Sequence, residues 1–418
     1  MSSNEIIHTT IDHLFRHESG KMVSVLSRLL GLRNLEAAQD IVQDTLLKAM
    51  STWGYKGIPD NPSAWLYRVA KNKAIDFLRR QKKFKSIGPQ YAYLLQSEYT
   101  LSPTVNNLFL ENEIQDSQLR MMFACCHPSI PQESQVAMAL KILCGLSINE
   151  IAKAFLTNDE TISKRIYRAK EKIKEGKIEL DVPGTEELKE RLDAVLQTLY
   201  LLFNEGYNSS HSEKLIREDL CEEAMRLSLL LTQHPLTAFP RSKALLSLMC
   251  FQSSRLNARL DDKGNIILLK YQDRNKWYRP LIQRGFDYLD EAAEPFEVSS
   301  YHFEAAIASL HAAAPSFEQT DWKSIYHLYE LLYQEQPGPV VAMNKAIASA
   351  YAISKQNALK ELKEIKGLEN HHLYYASIGE IYFELEEKEN AKQFFEKAIH
   401  LTHSQTEKQL LFEKISLC

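Results

Sequence analysis

Residues 146–176 read LSINEIAKAFLTNDETISKRIYRAKEKIKEG, and the fold follows from how this stretch must coil. Ser147-Ile148-Asn149-Glu150 has the form of a capping box, in which a hydroxyl and a carboxylate three residues apart satisfy each other's backbone N–H groups. It predicts a helix over 148–155. Leu156-Thr157-Asn158 is then a turn, and Asn158 or Asp159 can cap the next helix. In that helix Ile162, Ile166, Ala169 and Ile173 recur at helical spacing, while Thr161, Lys164, Arg165, Arg168 and Lys172 lie opposite. With the apolar run 129–144 before it, the stretch forms a helix-turn-helix whose second helix has a basic outer face suited to a major groove. A plain helical hairpin has the same spacing, so the pattern alone leaves both readings open.

Working outward, residues 22–32 and 35–53 also read as helices. The second turns Ile41, Val42, Thr45, Leu46 and Ala49 inward and leaves Asp40, Gln43, Asp44 and Lys48 outward. Asp40 and Asp44 stand four apart on one face and repel by a few tenths of a kcal/mol. They form either an ordinary solvated face or an acidic patch for a basic partner. Gly54 to Ser63, with two Gly and two Pro, reads as a loop. In the following WLYRVAKNKAIDFLRR, Leu66, Val69, Ala70, Lys73 and Phe77 fall on one side, and Arg68, Lys71, Asn72, Ile75 and Arg79 on the other. A basic face of this kind suits a phosphate backbone, and Asp76 lies outside the basic arc. Trp65 and Tyr67 are either core aromatics or platforms for a base.

The net charge of −4 argues against nucleic acid until it is divided. Residues 1–177 hold 24 basic and 18 acidic residues, net +6; residues 178–418 hold 26 and 36, net −10. Within the basic half, residues 56–85 carry nine basic and two acidic side chains. Such asymmetry points to nucleic-acid contact by the basic part. Gly and Pro each number 14 in 418 residues, well under the usual share of about 7% and 5%. Tight turns are therefore few, which excludes a sandwich or barrel and leaves an all-α chain. No stretch is long and apolar enough to span a membrane, and MSSNEIIHTTIDHLF lacks the form of a signal peptide, so a cytoplasmic protein is expected.

Six cysteines make no disulfide scaffold. Cys125-Cys126-His127 lacks the further ligands that tetrahedral zinc needs, and these residues read as packing. No G-x-x-x-x-G-K-[ST], G-x-S-x-G or H-E-x-x-H occurs. The expectation is no enzyme, no catalytic or metal-ligating residues and no cofactor.

In order and separation these pieces resemble an extracytoplasmic-function (ECF) sigma factor of bacterial RNA polymerase, over most of residues 10–177. AAQDIVQDTLLKAM resembles the helix that docks on the polymerase β′ clamp. NPSAWLYRVAKNKAIDFLRR resembles the segment that reads the −10 element, and residues 146–176 the reader of the −35 element. The resemblance implies that Asp40, Gln43 and Asp44 contact core polymerase at the β′ clamp helices, with the β flap as a further partner. It implies that the loop from Gly54 to Ser63, with Lys56, holds a flipped −10 base, and that Arg68, Lys71, Asn72 and Arg79 follow the opened strand. Thr161, Lys164, Arg165 and Arg168 would contact the −35 duplex. The expected organisation is 1–81 for the first module, 82–112 for a linker through the RNA exit channel, and 113–180 for the helix-turn-helix module. One departure is Asp159-Glu160-Thr161, where many relatives have Gly-Thr-Val. Glu160 either accepts from a cytosine amine or complements the helix dipole, and the second is expected.

Ordinary ECF sigma factors end near residue 180, and this chain continues with helically spaced apolar positions to its end. Asp262-Lys263-Gly264-Asn265 followed by IILL reads as a small hairpin. Tyr375, Ile378, Gly379, Tyr382, Ala391, Phe395 and Ala398 match the tetratricopeptide (TPR) spacing, and Asn344, Ile347, Ala348 and Tyr351 repeat its first half one unit earlier. Residues 181–418 are thus expected to be a helical regulatory extension with degenerate TPR units at about 320–404. Phe203 to Tyr207 and Tyr271 to Trp277 resemble fingerprints of the ECF subfamily with such an extension; their polar side chains either mark an active site or satisfy one another and backbone ends, and the structural role is expected. The extension would modulate the sigma factor or bind a protein or signal. The rival readings are a helix-turn-helix regulator with a TPR-type sensor that binds DNA unaided, and a scaffold with a vestigial helix-turn-helix.

Overall fold

The computed structural model describes residues 3–80, 98–155, 157–175, 178–208, 216–294 and 297–418. Among them are nineteen α-helices and no strand. The chain divides into two compact units, Met1–Leu202 and Phe203–Cys418.

Unit 1 starts with α1 (Ser3–Leu30), α2 (Leu35–Lys56) and α3 (Pro62–Arg80). Gly31, at φ 83°, stops α1, and the Asn34 side chain donates to the Leu30 carbonyl at 2.6 Å. Sequence reading ended the second helix at Trp53, but α2 runs through Gly54 to Lys56 and stops at Gly57, whose φ of 76° suits glycine. A glycine inside a helix costs about 1 kcal/mol, too little to break one packed along its length. The loop is correspondingly short. Asn61 accepts from the Ala64 N–H at 2.9 Å, and Pro62 opens α3.

The inward stripe of α3 is Leu66, Val69, Ala70, Ala74 and Leu78 rather than one through Lys73 and Phe77. Stepping by four from Leu66 keeps methyl groups in the core. Lys73 reaches the rim instead, where its ammonium pairs with Asp44 at 3.0 Å; buried alone it would carry a desolvation cost of several kcal/mol. Trp65 meets the buried Trp53 edge-on at 5.4 Å, and Tyr67 donates to Glu18 and packs on Phe109 at 5.6 Å. Both aromatics are packing residues.

Residues 81–97 lie outside the described residues, and the remainder of the expected linker holds α4 (Glu98–Leu108), with Val105, Leu108 and Phe109 buried. α5 (Glu111–Cys125), α6 (Gln132–Ile142), α7 (Ile148–Ala154) and α8 (Asp159–Lys174) follow. α1 is their spine, packing on α2, α3, α5 and α6. Arg28 on α1 pairs with Glu113 at 2.8 Å and Asp116 at 2.9 Å, and Arg16 pairs with Glu150 at 2.8 Å. Gly20 lets the α6–α7 turn come so near that a Cβ there would lie 2.0 Å from the Leu143 carbonyl oxygen. α9 (Thr185–Tyr207) carries unit 1 past the Asp181–Gly184 break, with Thr198 3.7 Å from the Cys126 sulfur. Cys125, Cys126 and Cys144 are buried, and burial pushes the Cys126 thiol up to about 12.

Unit 2 is built around α11 (Pro240–Ser254), which packs on α10 (Glu218–Gln233), α12 (Arg279–Glu291) and α13 (Ser300–Ala313). Gly285 admits the Phe251 ring, which a Cβ would meet at 2.7 Å. Residues 255–278 are irregular. The expected hairpin is a single bridge between Leu260 and Ile266 around a turn in which Asp261 accepts from the Lys263 and Asn265 amides, each at 2.8 Å. The remaining helices are α14 (Trp322–Glu335), α15 (Pro339–Ala352), α16 (Lys355–Glu364), α17 (His372–Glu384), α18 (Lys388–Leu401) and α19 (Gln405–Leu417), each packed on the next. Ile378, Tyr382, Ala391, Phe395 and Ala398 share one core cluster, and Gly379 clears room for the Phe395 ring.

Candidate nucleic-acid interface

The helix-turn-helix is held by the caps its sequence specifies. Ser147 N–H donates to Glu150 Oε2 at 2.8 Å, and Glu150 N–H donates to Ser147 Oγ at 3.1 Å. Asn158 accepts from the Thr161 N–H at 2.8 Å, which starts α8 cleanly after the turn. Ile162, Ile166, Ala169 and Ile173 are buried as the spacing requires, so the opposite face is fixed outward.

On that face Lys164 and Arg168 are exposed, Thr161 is half-buried, and Arg165 is only 22% exposed. Arg165 pairs with Glu133 of α6 at 2.6 Å, and Lys164 pairs with Glu160 one turn earlier at 2.6 Å. Glu160 thus sits both at the helix N-terminus and beside a lysine. Sequence reading passed over Tyr167, which is 63% exposed between Lys164 and Arg168. The wheel that placed Lys164 and Arg168 outward places Tyr167 outward as well. An aromatic ring there can pack on a thymine methyl.

The α3 face presents Arg68, Asn72 and Arg79 to solvent, with Asp76 3.9 Å from Arg79. Lys71 is half-buried, its ammonium 5.4 Å from the centre of the Phe109 ring, and burial lowers its pKa. Lys56 is exposed at the end of α2, beside Tyr55, which is 95% exposed. Tyr55 was not singled out because it falls where a loop was expected; its ring offers a stacking surface for an unpaired base.

On α2, Asp40, Gln43 and Asp44 are exposed and form one stripe with Leu47, which is 56% exposed. Met50, also exposed, lies one turn further on. The two apolar residues went unnoticed because the pattern reads them as spare hydrophobes; beside carboxylates they fit a protein partner better than solvent. The acidic stripe meets α3 at the Asp44–Lys73 pair, on the side away from the basic arc. Glu36 at the start of α2 pairs with Lys174 at the end of α8 at 3.4 Å, so both candidate DNA-binding helices belong to one packed unit. Among the described residues no helix is long and apolar enough to cross a membrane, and no group of three or more His, Cys, Asp or Glu is placed to hold a metal.

Residues 14–84 match the family Sigma-70 region 2, and residues 120–173 match Sigma-70, region 4. Residues 191–293 match a family of unknown function. An uncharacterized protein of Rhizobium meliloti is 36% identical over 379 residues, 90% of this chain and 88% of that protein. The RNA polymerase sigma factor SigV of Bacillus subtilis is 27% identical over 33% of this chain and 74% of its own. The ECF RNA polymerase sigma-E factor of Haemophilus influenzae is 30% identical over 38% and 82%. No solved structure matches.

Proposed function

The chain belongs to the ECF sigma factors of the sigma-70 family, in a form with a long C-terminal helical extension, and from that premise we propose how its surfaces work. α8 enters the major groove of the −35 element, with Lys164, Arg165, Tyr167 and Arg168 facing the duplex. The α3 face, through Arg68, Asn72 and Arg79, follows the phosphates of the opened −10 strand. Lys56 and Tyr55 receive an unstacked base at the end of α2, where an exposed ring recovers part of the few kcal/mol that flipping costs. Asp40, Gln43, Asp44 and Leu47 dock on the β′ clamp of core polymerase. The observation that carries this reading is the capped helix-turn-helix with its outward basic face, in one unit with a second basic helix beside an acidic stripe.

Promoter engagement requires that unit to open. Elements centred about 25 base pairs apart lie roughly 85 Å from each other at about 3.4 Å per base pair. Modules joined by the Arg16–Glu150 and Glu36–Lys174 ion pairs cannot reach both. The packed state is therefore the free protein, and core polymerase selects the opened one.

The test is in vitro transcription with purified core polymerase and the full chain on a library of promoter fragments. Initiation confined to a subset of promoters supports the reading. DNA binding without initiation would point instead to a regulator that acts unaided, and neither binding nor initiation to a scaffold. The extension is proposed to modulate this activity. A truncation that probes it has to retain α9, because Leu192, Leu196 and Leu199 are buried and Thr198 meets Cys126 in unit 1.

A further inference from the structure

Unit 2 has a partly open cavity of about 220 Å³ bounded by α11, α13, α14 and the stretch 255–278. Phe251, Leu269 and Ile307 give it apolar walls, and Arg255, Trp277 and His311 give it polar ones.

Behind the wall, guanidinium groups alternate with aromatic rings. Arg274 stacks on Trp277 at 4.0 Å; Arg255 stands 5.7 Å from Trp277 and 6.0 Å from Tyr207; Arg259 covers Tyr207 at 3.8 Å. Among the described residues none of these three arginines makes an ion pair. The nearby Asp273 spends its carboxylate on the Asn275 amide, 2.9 Å away. Arg274 Nη1 donates to the His311 carbonyl at 2.7 Å, and Arg259 donates to the Tyr207 carbonyl. Glu304 is the carboxylate on the cavity wall, and it stands beside Tyr329, whose hydroxyl burial and Glu304 together hold neutral.

The polar groups of these segments are satisfied by backbone partners in part, as expected, with Arg274 on the His311 carbonyl and Gln272 on the Ile267 carbonyl at 3.0 Å, but other atoms in and beside them are not. Tyr207 OH, Arg255 Nε, Gln272 Oε1, Arg274 Nη2, Trp277 Nε1 and His311 Nδ1 are shut off from solvent and have no hydrogen-bond partner in the protein. Native proteins leave few such atoms, and three of these, on Arg255, Trp277 and His311, belong to residues that line the cavity. Burial, then the neighbouring Arg255, lowers Arg274 to about 10, against the opposing pull of the Glu318 carboxylate. Burial, then Arg255 and Arg274, lowers His311 to about 3, so its imidazole is neutral and the positive charge of the site comes from arginine.

We propose that this cavity binds a small organic oxyanion, a carboxylate or phosphate ester with a short apolar body, whose anionic group is held by Arg255. A guanidinium fork matches either anion in a bidentate fashion. The apolar body would lie against Phe251 and Ile307. At about 220 Å³ the cavity is smaller than the 300–1,000 Å³ typical of sites for drug-sized molecules, so the ligand is compact. Bound charge would compensate cations that the fold itself leaves unpaired.

Calorimetric titration of the full chain with benzoate, phenyl phosphate and neutral benzyl alcohol tests this without recourse to transcription, so its outcome is independent of the sigma-factor reading. At least one anion is expected to bind saturably with Kd of about 1 mM or tighter, and benzyl alcohol not to. Which anion binds tighter identifies the anionic group. Arg255→Met, which keeps the apolar stem, should weaken the bound anion at least tenfold while its thermal midpoint in anion-free buffer stays the same or rises. Failure of both anions to bind saturably, equal binding by the variant, or a lower midpoint for the variant without anion would each overturn the proposal; the last would mark Arg255 as structural.

Discussion

Replacing Gly20 with alanine separates the packed state of unit 1 from its folding. The new Cβ would lie 2.0 Å from the Leu143 oxygen and 2.7 Å from the Leu143 carbon, both of them backbone atoms that no rotamer change can remove. α1 and the α6–α7 turn must therefore shift by more than an ångström. Overpacking of this kind costs about 1–3 kcal/mol. Alanine also returns about 1 kcal/mol of helix propensity to α1, but equally whether the modules are together or apart. The opening equilibrium thus feels the whole steric cost, a shift of about 5- to 150-fold, while global unfolding loses roughly 2 kcal/mol or less. Hydrogen exchange on the full chain should show faster exchange where α1 meets α6. Titration with labelled core polymerase should show tighter binding by a comparable factor, since less of the binding energy goes into opening. A Gly20→Ala protein that keeps its helical circular dichroism but exchanges no faster, or binds polymerase more weakly, would refute the argument that the packed unit has to open.

Three other perturbations follow from named contacts. Glu133→Gln frees Arg165 from its 2.6 Å pair; exposed pairs are worth about 0.2–1 kcal/mol, so holoenzyme affinity for the −35 element should rise, by up to about fivefold. A loss of affinity in an anisotropy titration would mean that Glu133 instead orients Arg165. Asp44→Ala removes a stripe residue whose pair with Lys73 is largely exposed; polymerase affinity should fall several-fold while the thermal midpoint barely moves, and unchanged affinity would remove Asp44 from the clamp contact. His311 is depressed to about 3 in the fold, whereas an unfolded histidine takes its proton near about pH 6.5. Its stabilising contribution is therefore complete above that pH and is lost as pH falls toward 3, at up to about 1.4 kcal/mol per pH unit. His311→Gln should flatten the pH dependence of urea unfolding, with a residual slope from His302 and His371, which burial also depresses; an unaltered slope would contradict the buried neutral imidazole.

What could be read from the sequence was local. The Ser147–Glu150 box, the Asn158 cap and the Ile162–Ile173 stripe are short-range patterns, and each recurs in the structure as a hydrogen bond or a buried face. Errors arose where a long-range contact overrode a local rule. Gly54 reads as the start of a loop and residues 82–112 as a linker, yet α2 runs through Gly54 and α4 forms within the linker, through Pro103, because neighbouring helices bury their faces. By angle alone Lys73 points inward, and its partner Asp44 is on another helix. The packing of Gly20 on Leu143 and the pairing of Arg165 with Glu133 were illegible for the same reason. Nothing in the order of residues states which turn meets which glycine.

The arginine ladder shows the limit more sharply. Tyr207 and Trp277 were marked as belonging to polar clusters, but pattern alone cannot distinguish a polar group with a partner from one without. Charge totals mislead in the same way. Residues 178–418 carry a net −10, which argues against an anion site there as firmly as −4 argued against DNA in the whole chain. Some of the acidic side chains of unit 2 are already engaged, as Glu384 is with Lys270 and Lys355 and Glu380 is with Lys414. At physiological salt exposed charges are screened beyond about 8 Å. A ligand entering the cavity therefore responds to the nearby groups, where Arg255, Arg259 and Arg274 stack with two aromatic rings and make no ion pair among the described residues, against the carboxylates of Glu304 on the wall and Glu318 near Arg274. An acidic surface and an anion-selective interior are compatible for that reason, and titration of the cavity rather than the sign of the net charge decides what it holds.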